Sequence, residues 1–300
     1  MSATGERKTR IASVGYDYAA RQVEPVEACN LCGSADLVEV ARRDRYGYPA
    51  RLVVCRRCGL GFLSPRLTAA EYGSFYEHVY RPLVSAYHGR RIDAETVQVD
   101  QRAYAAELVE FLRDTLPAPP ASVLDVGGST GVVAAAVRDA FGAEATVLDP
   151  APAELEVAAA AGLETVAGFA EDFDPGLRRW ELVLLCQTID HLLDVRATLA
   201  SLRRLTADGG HAFVDVLDLM IAARKQGSVE GAVKIDHPYY LTRETALASF
   251  AQAGYEPVAE RLSRDGHWGF VLAAAAPREP DWQRLRAAAD AELAELRGLG

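Results

Sequence analysis

The stretch SVLDVGGSTG, residues 122–131, restricts the fold of this chain more than any other. A leucine-rich and β-branched run ends near Asp125, a glycine-rich turn follows, and VVAAAVRDAF continues at helical spacing. A buried strand that feeds a helix through glycines is a parallel-sheet unit, and ligands sit beyond the carboxyl ends of such strands. The pattern then repeats. ATVLD (145–149) precedes APAELEVAAAAG, ETVAG is a short third strand, and ELVLLC (181–186) precedes the helical RATLASLRRL (196–205). GGHAFVDVL (209–217) and the helical TRETALASFAQAG (242–254) follow, then YEPVAERLS and WGFVLAAAA. Near-continuous apolar strands alternating with helices imply a sheet covered on both faces. The last two strands are joined only by the short DGHW link. They are expected as an antiparallel hairpin at the end of a mostly parallel, seven-stranded α/β sheet.

Four of the five cysteines form two pairs, Cys29-x-x-Cys32 and Cys55-x-x-Cys58, around an insert in which LVEVARR and RLVVC flank DRYGYP. That insert is expected as a hairpin. Each CxxC turn can bring two thiolates to about 2.3 Å from one ion, and four thiolates close a tetrahedral zinc shell. Gly33 and Gly59 follow the second cysteine of each pair, where a left-handed backbone angle is commonly needed. Disulfides are disfavoured in a cytosolic chain, and a redox site would need one CxxC at a strand–helix junction rather than two in a ribbon. The expected centre is Zn2+ on Cys29, Cys32, Cys55 and Cys58. It is expected to be structural, because no coordination position is left for water or substrate. Cys186, in LVLLC, reads as ordinary core.

Half of the 300 residues are apolar and a quarter are charged, so a core can form without staples. No apolar run reaches the roughly 20 residues of a membrane span. MSATGERKTR has no apolar segment behind its charges, so a cytoplasmic location without membrane contact is expected. The net charge of −10 argues against nonspecific nucleic-acid binding. Residues 1–66 run against that balance, with 11 Lys/Arg and 7 Asp/Glu. This basic module could hold an anionic substrate, or be no more than a solvated face. Downstream, Thr68 can cap a helix carrying Tyr72, Phe75, Tyr76 and Tyr80. Another helix is expected over 93–115, and Pro117, Pro119 and Pro120 mark a boundary. The expected segments are a zinc-ribbon module (1–66), a helical cover or linker (67–118), a cofactor-binding domain (119–277) and a C-terminal helix (278–300).

The glycine turn by itself leaves two cofactor classes open, a nicotinamide dinucleotide or S-adenosylmethionine. The dinucleotide fingerprint G-x-G-x-x-G is missing from Gly127-Gly128-Ser129-Thr130-Gly131. Asp125, two residues before the turn, suits a cationic, amine-bearing ligand better than a pyrophosphate. Asp149, one strand later, can accept hydrogen bonds from both ribose hydroxyls. At these residues the chain resembles the class I S-adenosylmethionine-dependent methyltransferases, whose first motif commonly reads L-D-x-G-x-G-x-G. The resemblance covers roughly residues 120–275 and implies a Rossmann-like fold. It implies that Asp125 and Gly127 border the methionine part of S-adenosyl-L-methionine, with Gly128, Ser129 and Gly131 in the same turn and Asp149 on the ribose. Adenine contacts are implied within GFAEDF (168–173). Ser129 replaces the family's middle glycine, and Phe169 stands where many members have an acid. Adenine recognition then falls to Ala170 and Glu171, or to Asp172. LLCQTIDHLLD (184–194) matches the strand-four motif that faces the transferred methyl and adds Gln187. The cysteine pairs, the SPR stretch and the Tyr-rich helices are similar to a narrower bacterial group, methyltransferases with an N-terminal zinc-binding domain that act on sugars or natural products.

Methyl transfer is an in-line displacement at a sulfonium, so the protein must align the nucleophile and, for a hydroxyl or carbon acid, remove a proton. His191, with Asp190, in QTIDHL is one candidate, although this pair could instead brace the following loop. His237 in KIDHPYYLT (234–242) is the other, beside Asp236, Tyr239 and Tyr240. It could instead be a packing histidine fixed by Pro238. Asp215 and Asp218 could hold a substrate hydroxyl, and His267 could only be an outer contact. The expected acceptor is a small polar metabolite that could carry phosphate, methylated on O or C. An activated, nucleotide-linked sugar or a natural-product intermediate is the first choice. The rival readings are an NAD-dependent oxidoreductase and a zinc-ribbon binding module on an inactive fold.

Overall fold

The structure, a computed structural model, describes residues 3–92 and 94–299. Asp93, the first residue of the expected 93–115 helix, lies outside the described residues, as do Met1, Ser2 and Gly300 at the ends of the expected outer segments. Two units are present. One comprises residues up to 97 with 219–240 and 282 onward, and the other comprises 98–218 and 241–281. Among the described residues no helix is long and apolar enough to cross a membrane.

The second unit contains the seven-stranded sheet: β1 Ser122–Val126, β2 Glu144–Asp149, β3 Glu164–Ala167, β4 Trp180–Leu185, β5 Thr206–Leu217, β6 Tyr255–Leu262 and β7 His267–Ala274. Their order is β6-β7-β5-β4-β1-β2-β3. β1 to β5 run parallel, β7 is antiparallel to β5, and β6 with β7 forms the expected hairpin. Strand order reverses between β1 and β4, which makes the crevice beyond their carboxyl ends the natural ligand position.

The helices of this unit are α1 Ala94–Thr115 (from residue 98), α2 Val132–Phe141, α3 Pro152–Ala160, α4 Val195–Leu205 and α5 Arg243–Ala253. Local chemistry sets their ends. Gly142, at φ +70°, stops α2, and Pro152 opens α3. The Asp194 side chain accepts from the Ala197 N–H at the start of α4, and Thr242 and Thr245 form a reciprocal cap on α5. Strand residues alternate between two buried faces. Val123, Val147, Leu182, Leu184, Phe213 and Val271 pack with α1, α2 and α3, while Leu124, Val183, Leu185 and Val214 are equally buried between them in sequence. Beyond that second set Phe250 of α5 meets Phe270 edge to face at 5.2 Å. Each fully buried leucine contributes about 1.5–3 kcal/mol.

The first unit is built on a four-stranded antiparallel sheet in the order Tyr239–Tyr240, Gly61–Leu63, Leu52–Cys55, Leu37–Ala41. The expected hairpin is its outer pair, with an irregularity between Glu39 and Ala41. The expected single helix after Thr68 is two. Thr68 caps Ala69–His78, and a second helix, Tyr80–His88, starts after Val79. Tyr72 and Phe75 are buried, whereas Tyr80 belongs to the next helix. The C-terminal helix Trp282–Leu299 packs in this unit against the second cysteine turn. A Cβ on Gly59 would come within 2.8 Å of Glu292 Oε2 and 3.5 Å of the Ala289 Cβ. The Arg57 guanidinium lies 4.9 Å from the Trp282 ring centre.

Candidate active site and metal centre

In the second unit, the turn after β1 crosses the carboxyl edge of the sheet. Gly127 has φ +70° and donates its N–H to the Leu148 carbonyl at 2.8 Å. Gly128 tolerates no side chain, because a Cβ there would meet the Asp125 carboxyl at 2.8 Å and Val147 Cγ1 at 3.0 Å. Asp125 is 1% exposed, and neither of its oxygens has a hydrogen-bond partner. Burial, and next the Asp149 carboxylate, push its pKa up to about 7, opposed only by the Ala134 backbone dipole. A buried carboxyl left unmatched by the protein is a site prepared for a positive group.

Asp149, at the end of β2, is also buried. It accepts from the Ser129 N–H at 2.9 Å and the Ala151 N–H at 2.8 Å. Burial still raises its pKa, and these two N–H groups hold the carboxylate in one orientation. Ser129 stands at φ +50°, a left-handed conformation that a glycine would adopt without strain. Its hydroxyl donates to Glu154 of α3 at 3.1 Å, which offsets part of that strain. Gly131, at φ +74°, begins α2 without a side-chain cap. Asp125, Gly127, Gly128, Ser129, Gly131 and Asp149 are thus brought together along one edge.

The adenine candidates divide. Ala170 is buried, and its carbonyl accepts from Arg204 at 3.2 Å. Glu171 accepts from the Thr198 hydroxyl of α4, which turns its carboxylate toward that helix. Asp172 is exposed and donates its N–H to the Phe169 carbonyl at 3.2 Å. The Phe169 ring is 58% exposed on the same loop.

Gln187 follows β4 with φ +50°, and its N–H donates to Asp215 Oδ1 at 2.5 Å. Asp215 Oδ2 accepts from the Tyr104 hydroxyl of α1 at 2.9 Å. Both Asp215 oxygens are therefore engaged inside the protein, so this residue braces the Gln187 turn rather than presenting itself to a substrate hydroxyl. Burial raises its pKa to about 6, against the Gln187 N–H, His267 and Tyr104. Tyr104 carried no signal in the sequence beyond an aromatic on a helix. Cys186 lies beside this network, and burial first, then Asp125 and Asp215, push its thiol pKa well up. Asp190 and His191 share the short 3₁₀ turn Ile189–His191, with Asp190 buried. Asp218 accepts from the Arg243 N–H at the start of α5 at 3.0 Å.

His237 belongs to the first unit. It is 3% exposed, with Nε2 3.0 Å from Lys234 Nζ and 3.6 Å from Asp236. The neighbouring Tyr239–Tyr240 is a short strand paired with Gly61 and Phe62, not a free loop. In the same unit the Sγ atoms of Cys29, Cys32, Cys55 and Cys58 lie within 4.8 Å of one another, with Cys29–Cys58 at 3.4 Å and Cys32–Cys55 at 3.5 Å. Zn–S bonds of about 2.3 Å in a tetrahedron require sulfurs about 3.8 Å apart, so the four thiols fit the ion. Gly33 and Gly59 adopt the left-handed angles, φ +70° and +85°. Each donates its N–H to the first cysteine's carbonyl of its pair, at 2.8 Å.

A family model described as a methyltransferase domain matches residues 97–260. No curated protein matches the sequence. Among solved structures, the chain is similar to a protein of Pyrococcus horikoshii, with 15% identity over 58% of this chain and 91% of that one, at a TM-score of 0.50. It is also similar to the magnesium protoporphyrin IX methyltransferase of Synechocystis with bound S-adenosylhomocysteine, at 12% identity, coverage of 62% and 89%, and a TM-score of 0.48. A third is an amino pentose methyltransferase of Micromonospora echinaspora, at 21% identity, coverage of 58% and 91%, and a TM-score of 0.44. At 15% identity the likeness to the Pyrococcus protein is one of fold. The family match spans more than half of the chain, and it displaces the oxidoreductase reading that the glycine turn had left open. The chain belongs to the methyltransferase domain family and is an S-adenosylmethionine-dependent methyltransferase.

Proposed function

We propose that this enzyme methylates an oxygen or carbon of a small, polar, phosphate-bearing metabolite, with an activated sugar or a natural-product intermediate as the acceptor. The observation that carries the cofactor half of this reading is the unpartnered, buried Asp125 carboxyl beneath Gly128. Such a group favours an ammonium or sulfonium and disfavours a pyrophosphate. Bound S-adenosylmethionine supplies an activated methyl group. Asp125, Gly127, Gly128 and Gly131 would hold its methionine end, and Asp149, fixed by two backbone N–H groups, its ribose. Ala170, Glu171 and Asp172 lie on the loop that would border adenine, where the exposed Phe169 ring adds an apolar face. Gln187 would border the methyl end, in a backbone position fixed by Asp215.

His237 is our first choice for removing the acceptor proton, with His191 and Asp190 as the second. Lys234 and Asp236 beside His237 would set its orientation and charge. The four cysteines would hold a structural Zn2+ that stiffens the first unit. The test is transfer of isotope-labelled methyl from S-adenosylmethionine to a panel of nucleotide-linked sugars, phosphorylated intermediates and their phosphate-free counterparts, with Asp149→Ala in parallel. Label should appear in at least one acceptor and be lost with the variant. Transfer only to acceptors without phosphate would overturn the substrate half of the reading.

A further inference from the structure

The first unit leaves cations unpaired in a molecule that has acids to spare. The chain carries 42 acidic and 32 basic side chains, and many of its arginines have a carboxylate in reach, among them Arg51, Arg66, Arg178, Arg224 and Arg243. Among the described residues, Arg7, Arg45 and Arg90 form no ion pair, yet Arg7 and Arg45 share the Tyr87 ring, Arg90 follows three residues after it, and the Arg45 N–H donates to the Val233 carbonyl, next to Lys234, at 2.9 Å. The Arg45 guanidinium lies 4.0 Å from the Tyr87 ring centre and 5.7 Å from that of Tyr46. Arg7 lies 4.6 Å from the same Tyr87 ring, and Tyr46 and Tyr87 meet edge to face at 5.4 Å. Arg45 Nε is buried and has no hydrogen-bond partner.

The end of the helix Tyr80–His88 does not account for this gathering. Its carbonyls are served by the Gly89 N–H on Ser85 and by Arg10 Nε on Ala86 at 2.9 Å. Nor do the nearby acids form an ion pair with these arginines. Asp44 is committed to the N–H groups of Tyr46, Tyr48 and Ile235, and Asp236 lies against His237. The imidazole of His88 registers the resulting field. Burial lowers its pKa first, and then Arg45, Arg90, Arg7 and Lys234 lower it further, with no carboxylate among the causes.

We propose that Arg7, Arg45 and Arg90, together with Lys234, form a phosphate-binding subsite in the first unit that takes the phosphate or diphosphate group of the acceptor. This rests on the reading of the acceptor as a phosphate-bearing metabolite. Guanidinium groups bind phosphate oxygens in pairs, and stacking on Tyr87 holds two of them in place before the anion arrives. Arg45 Nε is closed off beside the rings, so this guanidinium would meet the anion through its terminal nitrogens.

The test uses inorganic pyrophosphate as the probe, titrated calorimetrically into the full chain, the Arg45→Gln variant and the Arg90→Gln variant. Arg90 is exposed just after the helix, so its loss does not disturb the core. The wild type should bind pyrophosphate with an affinity that falls as salt rises, and each variant should bind about tenfold or more weakly. S-adenosylhomocysteine affinity should stay unchanged in both. The subsite is refuted if the wild type shows no pyrophosphate binding at about 10 mM, or if both variants bind it as the wild type does. Absence of S-adenosylhomocysteine binding in the wild type would instead sink the methyltransferase reading, whatever pyrophosphate does.

Discussion

Asp125→Asn should make the unliganded protein more stable while weakening its hold on cofactor. The folded carboxyl titrates at about 7, against 3.8 for an ordinary aspartate, because it is buried without partners and lies near Asp149. Below about pH 4 both folded and unfolded chains keep this proton, and the group is neutral to stability. As pH rises from there to about 7, the unfolded chain releases the proton while the folded chain retains it, so stability falls. Above about pH 7 the penalty levels off near ~4 kcal/mol. The amide of Asn carries no such penalty. Denaturant unfolding of the unliganded variant should therefore show a gain of up to ~4 kcal/mol over wild type at about pH 8, shrinking toward zero at about pH 4. A cationic ligand reverses the sign, because it pairs with the ionised form. Wild-type affinity for S-adenosylmethionine should drop about tenfold per pH unit below about pH 7, and the variant should bind weakly without that slope. A variant that is no more stable at alkaline pH and binds as the wild type does would refute the argument that the carboxyl is unmatched by the protein.

Cys55→Ser, or strong chelation, should lower the melting temperature of the full chain, since metal binding at such a site is coupled to folding by as much as about 10 kcal/mol. An unchanged melt in calorimetry would remove the structural zinc. Tyr104→Phe leaves Asp215 Oδ2 without its donor, so stability should fall by about 1–3 kcal/mol, read by denaturant unfolding. No loss would mean that the Tyr104 hydroxyl contributes nothing to holding Asp215 in place. His237→Ala should cut turnover about 100-fold or more with little change in S-adenosylhomocysteine affinity, and equal losses in both would reject it as the proton acceptor.

The sheet was legible because its signals are local. Continuous apolar strands such as Leu182–Leu185, and helices that Gly142 stops or that Asp194 and Thr242 cap, announce their type and length within a window of ten residues. The cysteine pairs were legible for the same reason. Distant pairing was not. Tyr239–Tyr240 reads as loop because its partner strand, Gly61–Phe62, lies far away in sequence, and nothing in KIDHPYYLT specifies that choice. The break at Val79 was hidden by aromatic spacing that stays helical on both sides of it. Asp215 looked like a substrate ligand because a lone acid at a strand end is ambiguous. Only its bonds to Gln187 and to Tyr104, 28 and 111 residues away, turn it into a brace. Ser129 departs from the glycine expected at its position, yet it keeps the left-handed angle and ties its hydroxyl to Glu154. The sequence could show the departure but not its compensation.

The central claim is that the edge formed by Asp125, Gly128 and Asp149 receives the cofactor of a methyltransferase. Calorimetric titration of the full chain with S-adenosylhomocysteine, with NAD(H) run in parallel, tests it most directly. The account predicts stoichiometric S-adenosylhomocysteine binding that Asp149→Ala abolishes, and no heat from NAD(H). NAD(H) binding without S-adenosylhomocysteine binding would contradict it.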